Sequence, residues 1–79
     1  MDMLVWATAG LSDPTKLSIP FHLVVNGCVE VGHDSAIVLA GDSTDLLAGD
    51  NTETLEGVGI PPMRELLAKL REHEIPVYV

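Results

Sequence analysis

The chain has 79 residues, 47% of them hydrophobic, and a formal net charge of −8 from twelve acidic against four basic side chains. That length allows one domain, and the apolar content exceeds what a disordered chain carries. So few cations exclude a phosphate-neutralising nucleic-acid face and disfavour an anionic membrane surface.

Met3 to Ala9 is a continuous apolar run of strand length, rich in strand formers and followed by Gly10. Such a run fits a strand buried on both faces, as in a parallel sheet. Ser12 or Asp13 can then cap a helix whose first turn holds Pro14. Leu17, Phe21, Val24, Val25, Cys28 and Val29 recur at helical spacing up to Gly32. Pro20 falls inside that pattern, which predicts either a kink or a helix beginning near Ile19. Ser35 to Ala40 is a second apolar run, closed by Gly41-Asp42. Strand, helix and strand of these lengths make a βαβ unit with a right-handed crossover.

Ser43 to Leu47 has room for one or two helical turns, and Gly49 to Pro62 reads as a long loop of the kind that often carries function. Pro62 to His73 is the clearest helix, with Met63, Leu66, Leu67 and Leu70 on one face and Glu65 placed to pair with Lys69. Pro76 to Val79 begins a third strand. Three apolar strands alternating with helices predict an α/β fold, a three-layer α/β/α sandwich around a parallel sheet. Three strands make a small sheet whose edges need cover.

A domain this short buries only about 60% of its unfolded surface, so it needs a supplement to its core. Cys28 is the lone cysteine, which rules out an internal disulfide, and its valine neighbours predict a buried thiol in a reducing compartment. Oligomerisation is the expected supplement. No basic leader precedes an apolar stretch and no run of about 20 apolar residues occurs, so the expected location is cytoplasmic.

Chemistry-bearing residues are sparse. His22, His33 and His73 share no metal-ligand spacing with one another or with Cys28, so neither a metal nor a cofactor is expected. Asp42, Asp45, Asp50, Glu53 and Glu56 crowd the middle loop, where paired carboxylates can serve as acid and base or hold a cation. Their spacing matches no calcium loop. Gly57-Val58-Gly59-Ile60-Pro61-Pro62 permits close backbone approach and leads into a helix N-terminus, but it is neither a P-loop nor a dinucleotide fingerprint. Position says more than motif: ligands of open parallel sheets bind beyond the carboxyl ends of the strands. A candidate crevice is therefore Thr8, Gly10, Asp42, Gly57 and Gly59.

The order of segments resembles the DsrE/DsrF-like (YchN-like) sulfur-relay family over nearly the whole chain. The resemblance is carried by Leu4-Val5-Trp6-Ala7-Thr8-Ala9-Gly10, Asp13-Pro14 with Lys16, and Pro20-Phe21-His22-Leu23. It continues through 26–33 (NGCVEVGH) and Ile37-Val38-Leu39-Ala40-Gly41-Asp42. It closes with 57–62 (GVGIPP), Glu65-Leu66-Leu67 and Ile75-Pro76-Val77-Tyr78-Val79. The resemblance implies a single domain over 1–79 with a sheet of about five strands when complete, an ordinary size. It also implies trimers, hexamers or other homo-oligomers and a sulfur-relay partner protein.

In relay members a cysteine just after the third strand carries a persulfide. Here that position falls beyond Val79, and Cys28 does not match it. The expectation is that the chain is part of a longer protein, the alternative being a real truncation that has lost the relay site, and that, as it stands, it is not an enzyme. Full length, it would transfer sulfur. The alternatives are a non-catalytic, oligomeric small-ligand-binding module at the crevice and, more remotely, a hydrolase using the loop carboxylates.

Overall fold

A computed structural model describes residues 2–79. Strands β1 (Met3–Ala7), β2 (Ser35–Leu39) and β3 (Val77–Tyr78) form one parallel sheet in the order β1-β2-β3. Met3 lies opposite Ser35 and Ala7 opposite Leu39, while Ile37 pairs with Val77. The α/β class and the parallel sheet are as the sequence predicts.

Helix α1 (Pro14–Leu23) starts where Asp13 accepts the Lys16 N–H on its carboxylate at 3.1 Å. Pro20 neither delays the helix nor ends it, although it has no N–H to return to Lys16. One turn later the chain widens into a π turn, Val24–Cys28, in which the Val29 N–H reaches back five residues to the Val24 carbonyl at 3.1 Å. The run closes at Gly32, whose φ of 79° is the left-handed conformation that glycine adopts freely. Around it, His33 N–H donates to Cys28 O and Gly32 N–H to Val29 O, the paired bonds of a Schellman end.

The middle segment is more ordered than a loop. A 3-10 turn at Gly41–Leu47 and a short helix, α2 (Asn51–Thr54), bring Leu46 and Leu55 into the core. Helix α3 (Met63–Glu72) follows, burying Met63, Leu66 and Leu70, with Leu67 only partly covered. Lys69 turns its ammonium to Asn26 at 2.8 Å instead of pairing with Glu65. The end of α3 repeats the Schellman pattern: Ile75 N–H donates to Leu70 O and Glu74 N–H to Arg71 O. Here Glu74 takes the left-handed place at φ 55°, a position glycine would fill with less strain. Leu70 and Ile75 pack on the core beside it.

Helices α1 and α3 cover the same side of the sheet. Ala7, Ile37 and Leu39 join Leu17, Phe21, Val24, Leu66 and Leu70 in one cluster. This follows from topology: with strands added in the order 1-2-3, two crossovers of one hand place both helices on one face. Alternate side chains point the other way. On that second face Leu4 is 46% exposed, Trp6 58% and Tyr78 51%, with Val38 of the central strand half-buried among them. The described residues thus form two layers, helices on sheet, with an apolar face open.

At the amino end of the sheet, Asp2 Oδ2 accepts the Asp34 N–H at 2.9 Å. That bond holds the Asp2 carboxyl below the usual carboxylate range against an opposing desolvation, and the His33 imidazole 3.8 Å away adds to it.

Candidate functional site

The three strands end side by side at Ala7, Leu39 and Tyr78, and the segments that follow the first two are fastened to each other. Ala40 N–H donates to the Ala7 carbonyl at 3.0 Å. The hydroxyl of Ser43, fully buried, lies 2.6 Å from the same carbonyl and 2.8 Å from that of Ala40. Asp13 N–H closes the turn from Gly10 at 3.2 Å, which leads directly into the Asp13 cap of α1. Gly10 then abuts Asp42 so closely that a Cβ on it would stand 2.9 Å from the Asp42 Cβ. A side chain at position 10 would push the two loops apart.

The segment before α3 crosses over the start of α1. A Cβ on Gly57 would meet the Thr15 Cα at 2.9 Å and the Pro14 carbonyl oxygen at 3.3 Å, and the next N–H, that of Val58, donates to Thr15 Oγ1 at 3.0 Å. Of the five residues in the predicted crevice, Gly10 and Asp42 are brought together and Gly57 is packed on α1. Thr8 is exposed just past the end of β1. Gly59 does not join them: it has φ 72°, is exposed, and would have nothing within 4 Å of a Cβ, so its role is to make a turn.

Ser43 and Thr15 are the residues that sequence reasoning misses. Each is an ordinary turn or helix-start residue locally, and its partner lies 36 or 43 positions away. A serine two positions after Gly41 is the only available signal, and it reads equally well as a simple turn.

The other candidates disperse. Among the described residues no group of three His, Cys, Asp or Glu side chains is placed to hold a metal. Glu56 pairs with Arg64 at 3.0 Å, and Asp42, Asp45, Asp50 and Glu53 are exposed. The amide of Met63, which opens α3, is taken by the Leu55 carbonyl at 3.0 Å. His73 caps the C-terminal end of α3 and His22 bonds to Asn26. Cys28 is 2% exposed, sealed in the π turn, and a nucleophilic thiolate needs access. The described residues enclose no pocket, and none of their helices is long and apolar enough to cross a membrane.

Fold and rim together define a small α/β domain on a parallel sheet, with its loops gathered at the strand carboxyl ends. The chain matches no family model, no curated protein and no solved structure.

Proposed function

We propose that the chain is a DsrE-like domain of the cytoplasm that, in its complete homo-oligomeric form, relays sulfur as a persulfide. The observation that supports this best is the shared rim. The parallel strands end side by side at Ala7, Leu39 and Tyr78, with the third strand running beside the second, whose following loop holds Asp42. In the relay family the position after the third strand carries the reactive thiol.

The chemistry is an exchange. A thiolate at the rim attacks the outer sulfur of a donor persulfide, a new S–S bond forms as the donor's breaks, and the donor leaves as a thiolate. A partner thiolate then repeats the step. Cys28 is too enclosed to take part. The complete encoded protein, incubated with a persulfide donor, is expected to gain the mass of one sulfur at a thiol other than Cys28, and Cys28→Ser should keep the gain. No adduct, or an adduct confined to Cys28, would overturn the reading. If the thiol-blocked protein still binds a small molecule at Thr8, Gly10 and Asp42, the rim belongs to a ligand-binding module instead.

The open sheet face supports the assembly half of the proposal. Exposed Leu4, Trp6 and Tyr78 make an apolar surface that calls for cover. In the working protein it is covered by a second helical layer, completing the α/β/α sandwich, or by a neighbouring subunit of a trimer or hexamer. Light scattering at micromolar concentration should report more than one chain per particle. Trp6, the only tryptophan, should emit as a shielded indole. A stable monomer with a water-exposed Trp6 spectrum would contradict both.

A further inference from the structure

Asn26 sits in the π turn between two polar neighbours. One atom of its amide is 2.9 Å from Nδ1 of His22, a helical turn earlier, and the other is 2.8 Å from Nζ of Lys69 on α3. Lys69 dictates the direction of every bond in this row. An ammonium carries three donors and no acceptor, so the amide atom facing it must be the oxygen. The amide nitrogen, a donor, therefore faces His22, and Nδ1 must accept. A neutral imidazole that accepts at Nδ1 carries its proton on Nε2.

We propose that Lys69, Asn26 and His22 form a latch between α3 and the π turn, one that fixes His22 as its Nε2–H tautomer. The row spans 43 positions of sequence between Asn26 and Lys69. It ties the irregular stretch of the first helical run to the regular helix packed beside it. His22 is half-buried, and with Nδ1 occupied its open side presents one hydrogen-bond donor of defined position. Nothing in this reading depends on sulfur transfer.

Long-range proton–nitrogen spectra of the intact protein, recorded where imidazoles are neutral, test it directly. The His22 signals, assigned by their loss in His22→Gln, should show the Nε2–H pattern. An Nδ1–H pattern or an even mixture in the unaltered protein overturns the proposal, and this measurement needs no variant to fold. Lys69→Met keeps the stem but lets the amide turn, so the tautomer preference should relax. Amide exchange across Val24–Cys28 should then quicken by about three- to tenfold, the scale of one lost hydrogen bond. Asn26→Asp is the sharper variant. A carboxylate can still accept from Lys69 but can no longer donate, so His22 should switch to a proton on Nδ1. A tautomer unchanged in Asn26→Asp would show that the ring is held by something else, and the latch would be rejected.

Discussion

Replacing Phe21 with alanine should leave most of the protein unfolded at room temperature. Phe21 is the largest of the fully buried side chains, and it sits on α1 where helix, π turn and sheet share one cluster. Deleting a buried phenyl ring costs about 3–5 kcal/mol, from lost transfer energy and from the cavity left behind. A domain of this size has little more than that in reserve. The cluster cannot readily collapse into the gap, because its members Leu17 and Val24 are held by the helical run and Ile37 and Leu39 by the central strand. Circular dichroism and chemical denaturation of Phe21→Ala and Phe21→Leu provide the check. The leucine variant should fold with reduced stability, while the alanine variant should show little cooperative transition. A well-folded Phe21→Ala protein would mean that the core lies elsewhere.

Gly57→Ala should destabilise by about 1–3 kcal/mol, the usual cost of forcing atoms into a packed site. The obstacle is backbone: the new methyl would lie 2.9 Å from the Thr15 Cα and 3.3 Å from the Pro14 carbonyl oxygen. Neither can swing aside without disturbing the first turn of α1. The bond from Val58 N–H to Thr15 Oγ1 should be lost with it, so exchange of the Val58 amide should rise more than the global loss explains. Gly59→Ala is the natural comparison. Its methyl meets open space, and its cost of about 1–2 kcal/mol comes from the left-handed backbone alone. It should leave the Val58 amide protected. Equal effects on that amide from both substitutions would argue against the close crossing of the two segments.

Much of the architecture was legible because it is written in local pattern. The apolar runs 3–9 and 35–40 had to be strands: they are too short for buried helices and are bounded by Gly10 and Gly41. Helix α3 showed itself through Met63, Leu66 and Leu70 at helical spacing behind two prolines. The first helical run was legible as far as Gly32, but its π turn was not. A widened turn keeps nearly the same apolar spacing, and the choice at Pro20 between a kink and a late start rests on what packs around it. Within the candidate crevice, Gly10 and Asp42 lie together because strand ends in a parallel sheet are adjacent. Gly59 stands apart in a turn, and in sequence a glycine needed for a turn and a glycine needed for close contact look alike.

Composition and periodicity by themselves determined an α/β fold with a parallel sheet, a net acidic charge and an enclosed thiol at Cys28. Those properties depend on what each residue prefers within its own segment. Tertiary structure alone decided that helices α1 and α3 cover one face, so that Leu4, Trp6 and Tyr78 lie on the open side. It also decided that Ser43 ties the first two strand ends, that Gly57 rides on α1, and that Lys69 prefers Asn26 to Glu65. Each of these depends on strand order or on a partner dozens of residues away, which no local preference encodes.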